Sequence, residues 1–225
     1  MNTIFITGTG TDIGKTYVTH SLLEYDRHQK SRLTALKPLI SGLTQENVNQ
    51  SDTALLLSGM GLEVIEENMQ KISPWRYQTP VAPDLAQRIE KKSFHFSSLI
   101  DFCEAQIKWA KQNDQQMLIE GVGGLMSPIS SNKTVLDWIN DLSLPVLLVA
   151  GTYLGSISHT LTCLSVLNAN KIPVLGVVLN ESINSTVNIF ETRRSLMQFT
   201  KVPIFIYYYQ QNLNKTVANL YAHLF

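Results

Sequence analysis

The sequence predicts an α/β fold, with a doubly wound, mostly parallel sheet and helices on both faces. Six continuous apolar runs rich in β-branched residues recur along the 225 residues, at 3–7, 33–37, 117–120, 145–150, 173–180 and 202–208. Such runs are typical of strands buried on both faces. Amphipathic stretches of helical length separate most of them, at 15–28, 96–111, 157–168 and 186–199. Alternating strands and helices joined by right-handed crossovers produce a parallel sheet covered on both sides.

Composition indicates one folded domain that acts on a small molecule. The length suits a single domain over residues 1–225. Hydrophobic residues make up 44% of the chain and charged residues 16%, which excludes a disordered protein. Basic and acidic residues both number 18, so no net field attracts nucleic acid or anionic lipid. We therefore expect neither nucleic acid nor a membrane as a partner.

The cysteines and the N-terminal residues indicate a cytoplasmic protein. Cys103 and Cys163 are far apart and have neither C-x-x-C nor zinc-site spacing. The first apolar run is too short for the core of a signal peptide and has no basic residues before it. No apolar run reaches the 18 residues that a membrane-spanning helix needs.

Residues 39–96 interrupt the alternation with Gly, Asn, Ser and Pro. We interpret this span as a substrate-binding insertion within the single domain. Ligands of open parallel sheets bind beyond the carboxyl ends of the strands. The residues that follow each apolar run are therefore the candidates for function.

A glycine-rich loop, residues 8–16 with the sequence GTGTDIGKT, joins the first strand to the first helix. Glycines let successive N–H groups face one anion, and the helix N-terminus adds partial positive charge. We expect Lys15 to reach the outer phosphates of a nucleotide and Thr16 to coordinate magnesium. Five residues, not the usual four, separate Gly8 from Gly14. The alternative is a tight turn with a solvated Lys15, but the flanking strand and helix favour nucleotide binding.

Two acidic residues are candidate magnesium ligands. Glu120 ends the third apolar run and precedes glycines at 121, 123 and 124. Magnesium prefers oxygen ligands, commonly one or two carboxylates with phosphates and water. Asp52 begins a helical stretch, where capping the helix is at least as good an explanation.

Lys37 ends the second predicted strand and is followed by Pro38. A second lysine beside a triphosphate makes sense if it neutralises charge that develops during phosphoryl transfer. A lysine that reaches solvent from the strand end explains the residue equally well. The sequence leaves the two explanations open.

Taken together, these segments resemble dethiobiotin synthetase. The matching pieces, in family order, are residues 8–16, Lys37-Pro38, Ser41-Gly42, Ser51-Asp52, Pro80, Pro83, Glu120-Gly121, Gly123-Gly124, Leu154-Gly155, His159 and Asn180. The resemblance implies a P-loop NTPase fold and a homodimer. It also implies that an amine of 7,8-diaminononanoate takes up carbon dioxide, supplied as such or as bicarbonate, to form a carbamate. ATP then phosphorylates the carbamate with Mg²⁺ present, and the second amine closes the ring.

The resemblance also implies roles for individual residues. Thr16, Asp52 and Glu120 correspond to the metal ligands, and Lys37 with Lys15 to the catalytic lysines. Nucleotide contacts correspond to Asp12, Ile13, Gly14, Lys15, Thr16, Tyr17, Asp52, Glu120, Gly121, Val122, Gly123, Asn180 and Glu181, and substrate contacts to Thr11, Ser41, Leu154 and Gly155. Asn180 corresponds to the adenine-reading residue, although a turn residue would also suit its position.

Residues 203–209 depart from the family pattern because they lack Gly-x-Ile-Pro. Three tyrosines in this segment are explained by an exposed edge strand or, less simply, by stacking on a base. The rival function is a partition-type P-loop ATPase switch that acts on a protein or DNA. Such switches often carry a further lysine early in the loop, where this chain has residues 9–11 with the sequence TGT. That difference favours the synthetase.

Overall fold

A six-stranded parallel sheet forms the centre of the computed structural model, which describes residues 3–29, 32–183, 185, 187–209 and 214–225. The strands are β1 (Thr3–Gly8), β2 (Leu33–Leu36), β3 (Leu39–Ile40), β4 (Trp75–Arg76), β5 (Gln116–Glu120), β6 (Val146–Ala150), β7 (Val174–Asn180) and β8 (Ile204–Tyr207). The helices are α1 (Lys15–His28), α2 (Asp52–Gly59), α3 (Glu66–Ile72), α4 (Pro83–Glu90), α5 (Phe96–Gln112), α6 (Val135–Leu142), α7 (Ser156–Ala169), α8 (Ile189–Leu196) and α9 (Asn214–Leu224), with a 3-10 turn at Val48–Gln50.

The strand order of the central sheet is β2-β5-β1-β6-β7-β8, and every pair is parallel. Across the sheet, the connection from β1 to β2 runs toward one edge, and the connections from β2 through to β8 run toward the other edge. Right-handed crossovers therefore put helices on opposite faces: α1 packs with α2 and α9, while α5 packs with α6 and α7 with α8. The predicted doubly wound, mostly parallel sheet is confirmed.

The central strands form because their side chains are apolar on both faces. All five residues of β6 are buried, as are Ile4, Phe5 and Ile6 of β1. Registers align the carboxyl ends at one edge of the sheet, with Leu36 beside Ile119. The residues that follow these strands consequently meet at that edge.

Several bounds differ from those that the sequence predicts. The second strand ends at Leu36, so Lys37 lies just beyond it. The predicted helix 186–199 is shorter at both ends, Ile189–Leu196, and residue 186 lies outside the described residues. The prediction that the three tyrosines of residues 203–209 lie on an exposed edge strand is only partly correct. The strand β8 is at the edge of the sheet, but Tyr207 is fully buried.

Residues 39–96 contain three helices and a two-stranded parallel sheet formed by β3 and β4. Leu39 and Ile40 of this sheet are buried, and Ile40 also lines the cleft described below. The interpretation of the span as an insertion into one domain of residues 1–225 stays a prediction. Within the described residues, no helix combines the length and apolar character needed to cross a bilayer.

Candidate active site

A cleft of about 810 Å³ opens at the carboxyl edge of the sheet, which is the position expected for a ligand of a doubly wound fold. Its walls come from the glycine-rich loop, the end of β2, the start of α2, and two loops at 80–83 and 122–127. The lining residues are Thr11, Asp12, Gly14, Lys15, Thr16, Lys37, Ile40, Ser41, Gly42, Asn47, Gln50, Ser51, Asp52, Pro80, Val81, Ala82, Pro83, Val122, Gly123 and Ser127.

The glycine-rich loop is held against the end of β7. Asn180 Nδ2 donates a hydrogen bond of 3.0 Å to the carbonyl of Ile13. Gly14 has a φ of 90°, and a Cβ at this position would lie 2.1 Å from Asn180 Nδ2. Only glycine satisfies both the left-handed backbone and the close approach. Asn180 therefore contacts the loop itself.

Helix α1 begins at this loop without a side-chain cap and without an acid in its first turn. The N–H groups of such a helix end are available to an anion, and the helix dipole favours negative charge there. Lys15 Nζ lies 2.9 Å from the carbonyl of Gly10. Burial, helped by the positive charge of Lys37, lowers the pKa of Lys15 to about 8. The loop thus offers backbone donors and one cation to a phosphate chain.

Lys37 and two carboxylates form a buried cluster beside the loop. The Lys37 Nζ atom is 2.6 Å from Glu120 Oε1 and 3.0 Å from Asp52 Oδ2. It also donates to the carbonyl of Gly121 at 3.0 Å. Burial alone would lower the pKa of Lys37, but the two carboxylates outweigh it and raise the pKa. Lys37 is therefore charged and faces the cluster, so the sequence-based alternative of a solvent-facing lysine is wrong.

Glu120 is fully buried, and its two oxygens differ in their contacts. Oε1 accepts from Thr16 Oγ1 at 2.6 Å as well as from Lys37. Oε2 has no hydrogen-bond partner among the described residues. A buried carboxylate oxygen without a partner is costly, and a hard cation would satisfy it. Thr16, Asp52 and Glu120 therefore fit a magnesium ion.

Asp52 is the first residue of α2, and it does not cap that helix. Ser51 is the N-cap, and its side chain accepts a hydrogen bond of 3.2 Å from the Ala54 N–H. Burial raises the pKa of the Asp52 carboxyl, but the charge of Lys37 outweighs burial and the pKa is lowered. The side chain of Asp52 is thus an ionised carboxylate at the mouth of the cluster. The capping interpretation of Asp52 is wrong.

A third part of the cleft has uncharged groups suited to an organic substrate. The Ser41 Oγ atom is buried and has no hydrogen-bond partner among the described residues. Asn47 fixes the neighbouring turn, because its side chain accepts from Thr44 N–H and donates to the Gly42 carbonyl, both at 2.8 Å. Thr11 also lines the cleft.

Eight predicted contact residues are not in the cleft lining: Ile13, Tyr17, Glu120, Gly121, Leu154, Gly155, Asn180 and Glu181. Leu154 is 87% exposed and lies two residues before α7. Gly155 is the N-cap of that helix. Tyr17 packs edge-on against Tyr207 with ring centroids 6.2 Å apart. Glu181 accepts a hydrogen bond from Tyr209 N–H at 2.9 Å. The predicted roles of these residues stay predictions.

Ser127 and Asn47 line the cleft, although sequence reasoning did not select them. Ser127 Oγ accepts from the Gly124 N–H at 2.7 Å and shapes the glycine turn after β5. A Cβ at Gly123 would lie 2.2 Å from this oxygen. A serine three residues after Gly124 is the only sequence signal for this contact, and such a signal is weak.

Comparison with known proteins gives the same family that the sequence motifs resemble. The family described as "AAA domain" matches residues 2–206. An ATP-dependent dethiobiotin synthetase BioD of Methylobacterium nodulans is 44% identical over 185 residues, which cover 81% of this chain and 82% of the relative. The protein of that name from Acidiphilium cryptum is 40% identical over 210 residues, with coverage of 92% and 93%.

Solved structures with a similar fold include a cell division complex and an ATPase. The MinC:MinD cell division complex of Aquifex aeolicus matches with a TM-score of 0.54 at 12% identity, covering 97% of this chain and 86% of that one. A ParA family ATPase of Chlorobium tepidum matches with a TM-score of 0.52 at 10% identity, with coverage of 99% and 90%. At this identity the likeness demonstrates the P-loop fold alone. The sequence relatives decide the family: the chain belongs to the ATP-dependent dethiobiotin synthetases.

Proposed function

We propose that the protein closes a cyclic urea on 7,8-diaminononanoate at the expense of ATP. Carbon dioxide adds to one amine as a carbamate, which accepts the terminal phosphoryl group of ATP. The second amine then attacks the carbonyl carbon, phosphate leaves, and dethiobiotin is formed with ADP. The observation that carries the proposal is one cluster at the cleft: Lys15, Thr16, Lys37 and Asp52 line it, and the buried Glu120 contacts Thr16 and Lys37 directly behind them.

Each group in the cleft has a task in this reaction. The N–H groups at the start of α1 and the Lys15 ammonium would bind the phosphates of ATP. Thr16, Asp52 and Glu120 would hold Mg²⁺, which when bound neutralises charge on the phosphates. Lys37 would stabilise the negative charge on the carbamate and on the transferred phosphoryl group. Ser41, whose hydroxyl has no protein partner in the described residues, would orient the diamine.

One assay tests the reaction directly. Phosphate release from ATP is measured with diamine, bicarbonate and Mg²⁺ present, and then with each component omitted. Phosphate release that depends on every component, with dethiobiotin detected by mass spectrometry, is the expected result. Release that continues without diamine and bicarbonate would instead support the rival function, a partition-type ATPase switch.

The metal assignment has its own test in Thr16→Val. Losing the hydroxyl should raise the magnesium concentration for half-maximal rate by about tenfold, since one of the proposed ligands is gone. Thr19→Val is the matched control, because the Thr19 hydroxyl donates to the Lys15 carbonyl on the same helix, at 2.9 Å. An unchanged magnesium titration in Thr16→Val would contradict the ligand set.

A homodimer and a cytoplasmic location are further parts of the proposal. Leu154 is 87% exposed and Met126 is 55% exposed, and exposed apolar side chains of this size are common at protein interfaces. We expect analytical ultracentrifugation to give a molar mass twice that of one chain. Mixing Lys15→Ala with Leu154→Asp should restore activity if the two sites are completed across chains. Mixed dimers that stay inactive would argue for sites within one chain.

A further inference from the structure

The ammonium of Lys37 is fully engaged by protein oxygens. Glu120 Oε1 lies 2.6 Å from Nζ, Asp52 Oδ2 lies at 3.0 Å and the Gly121 carbonyl at 3.0 Å. The Lys37 side chain is only 3% exposed. An ammonium has three protons to donate, so this arrangement leaves none for a reacting group. The position of Lys37 is therefore suited to holding the carboxylates together.

The two carboxylates that hold Lys37 also belong to the proposed metal site. Thr16 Oγ1 contacts the same oxygen of Glu120 as Lys37 does, at 2.6 Å. A divalent cation bound by Thr16 and Glu120 Oε1 would lie next to the ammonium, and like charges so close together in a buried site repel strongly. A metal that binds Oε1, and not Oε2, therefore competes with Lys37 for the same oxygen.

The formal charges of the cluster lead to the same conclusion. Lys15 and Lys37 balance Asp52 and Glu120, so the four groups sum to zero. A divalent cation alone would leave an excess of two positive charges in a largely buried site, which is unfavourable. A triphosphate supplies the missing negative charge and gives the displaced ammonium a new partner. Metal and nucleotide should therefore arrive together.

We propose that Lys37 is an exchangeable counterion of the Asp52–Glu120 pair. Binding of the divalent cation with the nucleotide displaces the ammonium from the carboxylates and turns it toward the anionic reacting groups. This inference rests on the ligand set of the proposed function. It adds a switch: the catalytic lysine is neutralised by the metal ligands until the metal takes its place.

The competing arrangement keeps Lys37 fixed on both carboxylates. The metal would then use the unpartnered Oε2 of Glu120 together with Thr16. Removing the charge of Lys37 would in that case relieve only the repulsion from a neighbouring ammonium and would also weaken the anchoring of Glu120. The exchange therefore predicts a larger gain in metal affinity from the same substitution than the fixed arrangement does.

Titration with Mn²⁺, followed by electron paramagnetic resonance, separates the two arrangements. Without nucleotide, Lys37→Met should bind Mn²⁺ at least about tenfold more tightly than the unmodified protein, because the competing charge is removed. Lys37→Arg keeps the charge and should bind as the unmodified protein does. Lys71→Met is the matched control, since Lys71 pairs with Glu67 at 2.7 Å on an exposed face. Affinity that is equal or weaker in Lys37→Met would overturn the proposal.

A second measurement avoids any folding defect in Lys37→Met. The ammonium signal of Lys37 is followed by ¹⁵N NMR of the unmodified protein and is assigned by its loss in Lys37→Arg. Mg²⁺ with a non-hydrolysable ATP analogue should shift this signal more than the analogue alone does. A signal that the metal leaves unchanged would overturn the exchange.

Failure of the exchange is distinguishable from failure of the proposed function. If Mn²⁺ does not bind the unmodified protein even with the ATP analogue, the proposed ligand set itself is wrong, and the exchange falls with it. If Mn²⁺ binds with the analogue but Lys37→Met has ordinary affinity for Mn²⁺ alone, only the exchange is wrong. Phosphate release that requires the diamine supports the function in either case.

Discussion

The two halves of the sheet's carboxyl edge are built differently. At the ends of β1, β2 and β5 the buried side chains are charged and face one another, as in the contact between Lys37 and Glu120 at 2.6 Å. At the end of β8 the buried side chain is aromatic: Tyr207 lies edge-on to the exposed ring of Tyr17. Buried charge is retained where it is paired and has a chemical use, so we assign the chemistry to the first half.

Lys37→Ala, in the charged half, should have the largest effect of these substitutions on turnover. A small effect would contradict the assignment of the chemistry to that half. We expect kcat to fall by about 100- to 1000-fold, because the ammonium is proposed to stabilise charge in the transition state. The KM for ATP should change much less. Lys201→Ala, an exposed lysine before β8, is the control for the other half. Steady-state phosphate release measures both variants, and an unaltered kcat in Lys37→Ala would refute the catalytic role.

Gly14→Ala tests the point where the two halves touch. The new methyl group would meet the Asn180 amide, and the backbone conformation is strained for alanine. Strain of about 1–3 kcal/mol should weaken ATP binding by about 10- to 100-fold. Gly10→Ala is the control in the same loop, because its Cβ meets no heavy atom within 4 Å. Calorimetric titration with ATP compares the two, and equal affinities would show that loop geometry is unimportant.

The pH dependence of ATP binding tests the charge of Lys15 in the charged half of the edge, at the ends of β1, β2 and β5. Lys15 has a pKa of about 8, so above that pH a growing fraction is neutral before ATP binds. Phosphates favour the charged form, so binding at pH 8.5 should take up protons, and affinity should fall by at most about tenfold per pH unit above pH 8. Well below pH 8 the uptake should disappear.

Proton uptake is measured by calorimetry in two buffers with different ionisation enthalpies. Lys15→Arg is the control, because the guanidinium stays charged throughout this range. The variant should bind ATP without proton uptake. Equal uptake in Lys15→Arg and the unmodified protein would assign the proton to another group.

Tyr207→Phe should have the smallest effect, confined to stability. The Tyr207 hydroxyl lies 3.2 Å from Ser21 Oγ, and burial raises the pKa of Tyr207. Losing this hydrogen bond should lower the free energy of unfolding by about 1 kcal/mol and leave kcat unchanged. Tyr209→Phe, at an exposed position, should change neither. A large loss of ATP affinity in Tyr207→Phe would show that the aromatic half contacts the nucleotide.

The central sheet could be predicted from sequence because its strands are continuous apolar runs, and helix α1 was predicted with its observed bounds, Lys15–His28. Helices α3, α4 and α6 were not predicted, since seven or eight residues contain too few turns for a clear period. The 11-residue helix α9 was not predicted either. Strand register and turn geometry position distant residues side by side, and neither produces a local pattern in the sequence.

The cluster illustrates that limit. Lys37 and Glu120 are 83 residues apart and meet because Leu36 pairs with Ile119. From sequence alone, Lys37 was equally consistent with a solvent-facing side chain. The contact of Asn180 with the loop likewise depends on where β7 ends relative to Ile13, which neither segment encodes alone.

Glu120 Oε2, which has no hydrogen-bond partner in the described part of the chain, has a consequence for how this protein can be engineered. A buried ion cluster with an unsatisfied oxygen makes the fold less stable than apolar side chains of the same volume would. Replacing Lys37, Asp52 and Glu120 together with well-packed apolar residues should therefore raise the melting temperature and abolish turnover. Selection for thermal tolerance alone would erode this site first, so a heat-resistant variant is best sought in the aromatic half of the molecule.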